Sequence, residues 1–487
     1  MWYTMLKGGL VLSTWTVWLI GAYVVNFILI VVLVGFERRD PVVSLAWVLG
    51  FTLIPVGGVI VFLFFGRGIK SHARKKYARK GEYDSALSKT LHAQREYLSK
   101  DENIESPYTD MMRYLLEEGE SIYTDDNKVT IFTDAREKYK ALYEDIKNAR
   151  ETVNMLYFII RDDNVSRAFL TLLSQKAREG VEVRFMYDDF GSILTSKQIF
   201  KELIASGGQV RRFFPVKLGS YLKVNHRNHR KIAVIDGSIA YTGGMNIGDE
   251  YMGYGDITPW RDTHIKIQGS GVHFLQDRFL MDWTYSSPEE QQSDLKKFFP
   301  KPSPAGDVGM QIVSSGPDSK SEEIKCGMIK MINSARRYAY IQTPYFVPDK
   351  PFLEALALAS KSGVDVRVML PGVPDKKYVY HTTMSYVGEL LDAGIKVFLY
   401  PGFIHSKTVV VDDKISTIGT TNADIRSFQL HFEVNAFMYS EHIARENREI
   451  FENDERGCFV VTKEWYEARG VLTTMADGFY RLFSPIM

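Results

Sequence analysis

His229, Lys231 and Asp236 stand in the stretch NHRNHRKIAVIDGSIAYTGGMN, Asn225 to Asn246, with the spacing H-x-K-x4-D, and Gly243 and Asn246 follow. A second stretch, HSKTVVVDDKISTIGTTN, repeats the same five residue types at the same intervals as His405, Lys407, Asp412, Gly419 and Asn422. A lone copy reads as a surface strand followed by a glycine turn. From residue frequencies, one match to H-x-K-x4-D-x6-G-x2-N is expected in roughly one chain in several thousand of this length, and two are rarer by a similar factor. Two copies point to one shared task.

In HRKIAVID and HSKTVVVD the period-two alternation of a strand puts histidine and lysine on one face, so an imidazole and an ammonium converge. Asp236 and Asp412 fall on the opposite parity, at the far end of the strand, and read as structural rather than reactive. The glycines permit a tight turn that returns the Asn246 and Asn422 amides toward the same spot. Paired histidines, lysines and amides, with no cysteine or acidic cluster arranged for a metal, suit a phosphodiester. Ammonium and amide donors neutralise the non-bridging oxygens as charge builds in the transition state. One histidine can attack phosphorus while the other protonates the leaving oxygen, giving covalent catalysis in two displacements. An imidazole changes protonation state near neutrality, as each step needs. A lysine beside each histidine repels a cation, so neither a metal nor another cofactor is expected.

The elements that must position these groups come in two similar sets. ALYEDIKNARETVNMLYFIIRDD, Ala141 to Asp163, corresponds to CGMIKMINSARRYAYIQTPYFVPDK, Cys326 to Lys350: a helix-period pattern, an Ala-Arg step, then a short apolar strand. Next, REGVEVRFMYDD matches KSGVDVRVMLPG, where a helix stops at Gly180 or Gly363 and an alternating strand begins. GGQVRRFFP and AGIKVFLYP are a further pair of glycine-led strands ending at proline. This βαβ alternation predicts a parallel or mixed sheet covered by helices. The first set carries an extra loop, with 13 residues between Pro215 and His229 against three between Pro401 and His405.

A chain of 487 residues, 45% hydrophobic and 24% charged, is too long for one ordinary core. Its net charge of +1 argues against a general nucleic-acid binder. Cys326 and Cys458 give no disulfide framework and no C-x-x-C spacing, which fits a reducing compartment. The N-terminus is different in kind. Gly8 to Phe36 and Val42 to Gly66 are both free of charge, and each is long enough to cross a bilayer core of about 30 Å. A signal peptide is shorter and lacks a second span, so a two-helix transmembrane hairpin is expected. Arg67, Lys70, Arg74, Lys75, Lys76, Arg79 and Lys80 follow the second run. In the hinge, Arg38 and Arg39 are offset by Glu37 and Asp40, so the positive-inside rule places both ends in the cytoplasm. Gly81 to about Gly119 reads as a polar connector.

The duplicated motif resembles the HKD signature of the phospholipase D superfamily. Around it, TPYFVPD, PWRDTH, QDRFLMDW, NADIRSFQLHFEVN and RLFSPIM, with the double apolar start, resemble the bacterial cardiolipin synthases of that superfamily over nearly the whole chain. The resemblance implies an α/β fold: two phospholipase D-like α/β/α domains forming a pseudo-two-fold pair, behind the transmembrane hairpin. The boundaries expected are 1–67 for the hairpin, 68–120 for the basic segment and connector, 121–305 for the first domain and 306–487 for the second.

It also implies metal-independent transfer of a phosphatidyl group between two phosphatidylglycerol molecules, giving cardiolipin and glycerol through a phosphohistidine. His229 would be the nucleophile and His405 the general acid and base. An acidic residue would hold the outer nitrogen of each histidine, Glu433 for His405 and Asp262 for His229. His431 stands where the family leads one to expect asparagine, and His226, His264 and His273 read as surface or loop histidines. The partners would be phosphatidylglycerol and anionic membrane lipid, not nucleic acid. The location would be the bacterial inner membrane, multi-pass, with the catalytic domains on the cytoplasmic side. A hydrolytic phospholipase D would use the same residues with water as acceptor. A non-catalytic lipid-binding scaffold would be favoured by loss of a motif residue, but all ten are present. The metal-dependent CDP-alcohol route would need a D-G-x2-A-R type motif, which is absent.

Overall fold

The computed structural model describes residues 14–36, 41–65, 90–96, 108–215, 225–286, 296–319 and 321–486. The basic run from Arg67 to Lys80 and most of the extra loop after Pro215 lie outside them. The chain divides into two compact units, Met1–Ile69 with Lys217–Asn225, and Lys70–Val216 with His226–Met487.

In the first unit, α1 (Thr14–Phe36) is long and apolar enough to cross a membrane. The second apolar run is helical too, but it breaks at Ile54 into α2 (Pro41–Leu53) and α3 (Pro55–Phe65). Neither piece alone has the length of a span. Pro55 is the cause, because it has no N–H to give to the Phe51 carbonyl four residues back. Asn26 of α1 supplies the missing donor, its Nδ2 lying 2.7 Å from that oxygen. Phe62 packs edge to face on both Trp47 and Phe51 around the break.

The second unit is built on one mixed sheet. The first half supplies β1 (Tyr123–Phe132), β2 (Thr152–Tyr157), β3 (Glu182–Asp188), β4 (Gln209–Phe213), β5 (Ile232–Ile235), β6 (Ile239–Gly243), β7 (Trp260–Arg261) and β8 (His264–Gln268). The second half supplies β9 (Val308–Ser315), β10 (Tyr338–Gln342), β11 (Phe346–Val347), β12 (Asp365–Pro371), β13 (Lys396–Tyr400), β14 (Phe403–Ile404), β15 (Thr408–Val411), β16 (Ile415–Gly419), β17 (Ala423–Asp424), β18 (Glu433–Tyr439) and β19 (Phe459–Val461). Fifteen of these form the order β19-β13-β12-β10-β15-β16-β18-β9-β1-β8-β6-β5-β2-β3-β4. Read outward from β1 the succession is 8, 6, 5, 2, 3, 4, and from β9 it is 18, 16, 15, 10, 12, 13, so these strands correspond one to one, and β19 is an additional edge strand of the second half. β1 and β9 pair antiparallel and join the halves. Within each half two parallel steps (β2-β3-β4 and β10-β12-β13) continue into an antiparallel meander that carries the motif.

The helix-to-strand turns lie where the sequence places them. The helix Asn164–Arg178 ends before Gly180 at φ 93°, and Lys350–Lys361 ends before Gly363 at φ 94°; this left-handed region costs glycine little. Asp163 and Asp349 cap the starts of these helices through Ser166 N and Phe352 N. The connector helix Thr109–Gly119 packs Met111, Met112 and Leu115 into the core of the second half.

Candidate active site

Each motif histidine sits in the extended segment just before its strand, not in the regular ladder. β5 starts at Ile232 and β15 at Thr408. The reason is that the backbone there pairs across the halves: His229 N donates to Phe432 O at 3.0 Å and His405 N to Arg261 O at 2.6 Å. Beside these bonds Asn228 bridges Phe432, and β14 pairs β7 with Ile404 opposite Arg261. Two buried arginines lock the crossing. Arg230 bonds Asp282 and donates through Nε to Glu433 O at 3.0 Å, and Arg261 reaches Asp454 and the Ser406 hydroxyl.

This crossing exchanges the carboxylates relative to the sequence expectation. His229 Nδ1 lies 2.9 Å from Glu433 Oε1, and His405 Nδ1 lies 2.6 Å from Asp262 Oδ2. Sequence proximity had paired Glu433 with His405 and Asp262 with His229. Instead, each carboxylate opens or precedes a strand that follows its own motif, and its half presents it to the other half's histidine. Thr420 O is a second acceptor 3.1 Å from His229 Nδ1, and Gly244 O likewise faces the His405 ring. Two acceptors around one nitrogen require the hydrogen there, which leaves Nε2 of each ring as the lone-pair nitrogen.

The rest of the constellation is duplicated with it. Lys231 Nζ donates to His229 O at 2.6 Å and Lys407 Nζ to His405 O at 2.5 Å. Burial pushes these ammonium groups down to about 7 and about 8. Burial, together with the nearby lysines, holds both imidazoles well below their ordinary range; His405 also opposes charge on His229, so the two motifs act on one electrostatic site. Burial raises Asp262 to about 7, disfavouring charge on that partner as well.

Asp236 and Asp412 point the other way. Asp236 accepts the backbone N–H groups of Arg150, Glu151 and Thr152 at 2.8 to 2.9 Å. Asp412 accepts those of Arg336, Arg337 and Tyr338 at 2.6 to 2.9 Å. Both adopt left-handed backbone, at φ 50° and 56°. The asparagine amides are engaged within the fold: Asn246 Nδ2 donates to Tyr251 Oη and Asn422 Nδ2 to Asp424 Oδ2. Asn246 Oδ1 also accepts from Ile159 N, which fixes the end of β2 beside the site.

The halves differ where Gly244 stands opposite Thr420. A Cβ on Gly244 would fall 1.9 Å from Asp262 Oδ1, so glycine makes room for that carboxylate. In the second half the Thr420 hydroxyl donates to Glu433 Oε2 at 2.5 Å.

Sequence reasoning passed over several neighbours. His431 is buried beside His229, ring centroids 5.5 Å apart, with Arg426 Nε donating to its Nε2 at 2.7 Å and its Nδ1 3.7 Å from Glu433 Oε1. Phe158 packs edge-on to His229 at 4.9 Å, and Trp260 and Phe403 flank His405 at 5.6 and 5.8 Å. The sequence marks His431 only as standing, two residues before Glu433, where the family leads one to expect asparagine. His226 and His264, read as surface or loop histidines, are both buried; His226 lies outside the regular strands, whereas His264 lies on β8 against Gly243, whose close approach to it excludes a side chain. Donor atoms of His229, His431 and Glu433 lie within 4.8 Å of one another. Glu433 and His431 already serve His229, Thr420 and Arg426, and the two lysines disfavour a cation there.

The chain is similar to known proteins. The family model described as "Cardiolipin synthase, PLD-like domain" matches residues 142–256 and 328–455, and one described as "Phospholipase_D-nuclease N-terminal" matches 24–67. The cardiolipin synthase of Listeria monocytogenes serotype 4a (strain HCC23) is 41% identical over 473 residues, covering 95% of this chain and 98% of the relative. The major cardiolipin synthase ClsA of Bacillus subtilis (strain 168) is 42% identical over 478 residues, covering 96% and 98%. The chain belongs to the cardiolipin synthase family. Among solved structures, phosphatidylserine synthase of Haemophilus influenzae Rd KW20 is similar in fold, with TM-score 0.60 and 15% identity over 78% of this chain and all of that one. For a cardiolipin synthase family member, the duplicated histidine site described above is the feature on which both halves of the sheet converge.

Proposed function

We propose that this protein is a phosphatidyltransferase that joins two phosphatidylglycerol molecules into cardiolipin and releases glycerol. The observation that carries the reading is the pair of buried imidazoles, each with a bare Nε2 and each held by the opposite half's carboxylate, with Lys231 and Lys407 both acting electrostatically on both rings. His229 Nε2 attacks phosphorus of the first lipid, forming the P–N bond as the P–O bond to the departing glycerol breaks. His405 Nε2, which takes up a proton as the phosphate anion binds, delivers it to that glycerol oxygen. In the second displacement His405 removes the proton from a hydroxyl of the second phosphatidylglycerol, whose oxygen attacks phosphorus and frees His229. The ammonium groups of Lys231 and Lys407 stabilise the non-bridging oxygens. Asp262 and Glu433 fix the tautomers, while Asp236, Asp412, Asn246 and Asn422 hold the loops.

Residues 121–305 and 306–487 are the two catalytic domains under this reading, and 68–120 the connector. Residues 1–67 are a hairpin that crosses the membrane twice, with the break at Pro55 within the second crossing; the basic run from Arg67 to Lys80 keeps the catalytic domains on the cytoplasmic side.

The test is purified full-length protein in vesicles with labelled phosphatidylglycerol and EDTA. Cardiolipin and glycerol in equal amounts are expected. Phosphatidic acid as the main product would make it a hydrolase, absence of turnover a scaffold, and a strict divalent-metal requirement would remove the mechanism.

A further inference from the structure

The helix Val471–Arg481 is amphipathic in the inverted sense. Val471, Leu472, Met475, Phe479 and Leu482 recur along one face, and their exposures run from 57% to 82%. Thr473 and Thr474 are exposed as well, but the acidic group of the helix turns inward. Asp477 is 3% exposed and bonds His381 Nδ1 and Arg469 Nη1, each at 2.8 Å. Tyr480 stacks on the His381 ring, and Arg481 donates to Ser385 O at 3.0 Å. A soluble surface helix does the reverse, so this apolar face is presented to something.

Its attachment says what. The helix is bonded along Lys377–Asp392, whose Tyr380, Thr383 and Met384 share a small pocket with Phe403, and Phe403 flanks His405. A second apolar patch stands on the other half. Ile193 and Leu194 are 61% and 84% exposed in the loop after β3. In that loop the Ser192 hydroxyl donates to Phe158 O at 3.2 Å, and Phe158 packs on His229. Each patch is therefore a few contacts from a different motif histidine. A protein partner covering both would compete with a lipid for entry to the site, whereas a bilayer surface both covers them and supplies the substrate. The same chain carries α1, apolar and long enough to cross a membrane.

We infer that the Val471–Arg481 helix is an interfacial docking element that lies in the headgroup layer of the bilayer, assisted by the Ile193–Leu194 loop tip, and so brings the site to its substrate. This goes beyond the transfer reaction and rests on that reading only for the lipid nature of the substrate.

Two measurements on the full-length protein in phosphatidylcholine and phosphatidylglycerol vesicles test it. A benzophenone-bearing residue in place of Met475 should photo-cross-link to alkyne-tagged lipid; capture of a second copy of the chain, or no lipid adduct, would overturn the proposal. The Leu472→Asp/Phe479→Asp variant should lose about tenfold or more in kcat/KM on vesicle phosphatidylglycerol. It should keep wild-type turnover of a short-chain, monodisperse phosphatidylglycerol. Equal loss on both substrates would make the helix merely structural, and no loss on vesicles would remove the docking role. A wild-type protein that turns over neither substrate yet forms the lipid adduct would defeat the transferase reading and leave the docking intact.

Discussion

His229 Nδ1 meets Glu433 Oε1 at 2.9 Å across 204 residues of sequence, and His405 meets Asp262 across 143 in the reciprocal sense. Neither half therefore owns a complete histidine–carboxylate pair. A half folded alone would leave a buried carboxylate without its imidazole and an imidazole without its orienting group. The β1–β9 junction and the Arg230 and Arg261 bonds that cross the halves are thus part of the site's construction.

The carboxylates set the tautomer, so Glu433→Gln and Asp262→Asn should each lower kcat by about 10²-fold or more with KM little changed. The lysines that hold the phosphate remain in both variants. Steady-state kinetics on phosphatidylglycerol vesicles check this. A loss confined to KM would mean that the carboxylates serve binding rather than the histidines.

Binding should take up protons. In the empty site burial keeps both imidazoles neutral, their proton affinity held below the ordinary range, and leaves Lys231, Asp262 and Lys407 poised near neutrality, at about 7, about 7 and about 8. An incoming phosphate anion adds the negative charge that lets one imidazole hold a proton, which is what a general acid requires. The lysine ammonium groups are charged below about 7 and about 8 and lose that charge above. Both effects have the same sign, so affinity for an unreactive phosphate-ester analogue should fall as pH rises through neutrality. Calorimetry in buffers of different ionisation enthalpy should show net uptake approaching one proton near neutral pH. Uptake unchanged in His229→Ala and His405→Ala would assign the proton elsewhere.

How much of this was legible in the sequence follows from the range of the interactions. The duplicated motif, the glycine-stopped helices and the βαβ steps depend on residues close together in the chain, and they could be read. The opening strand β1 was not, because YTDDNKVTIF buries little along its length and lacks a clean alternation. The pairing of Glu433 with His229 depends on how the two halves face one another, and no local pattern encodes that. His431 could be marked only as a departure from the asparagine the family leads one to expect; its contact with His229 could not be read, because that neighbour comes from the opposite half. The break in the second apolar run was not read, because lack of charge alone made Val42 to Gly66 look like one span, and Asn26, which bonds the freed carbonyl, lies in a different helix.

The motif aspartates should be stability residues. Asp412 accepts three consecutive backbone N–H groups from left-handed backbone at φ 56°, so Asp412→Ala removes the acceptors and strains the turn. The expected cost is about 2–4 kcal/mol. Thermal unfolding of the full-length protein in detergent should show a lower Tm, with kcat per folded molecule close to wild type. Asp412→Asn keeps one acceptor and tolerates the backbone, so it should fall between. A kcat lost without any change in Tm would make Asp412 a participant in the chemistry.

Asn26 should be coupled to Pro55. The Asn26 amide takes the Phe51 carbonyl that proline leaves without a helical donor, in a setting where no water competes for it. Asn26→Leu therefore strands that oxygen, at a cost of about 0.6–2 kcal/mol. Hydrogen exchange in nanodiscs reads the local effect, and the amides of residues 50 to 58 should exchange faster in this variant. Pro55→Ala restores an N–H four residues after Phe51, so the helix can satisfy the carbonyl itself. The double variant Asn26→Leu/Pro55→Ala should then recover most of the protection lost in the single one. If the two changes simply add, the bond between Asn26 and Phe51 does not hold the break, and packing of Trp47, Phe51 and Phe62 must do so instead.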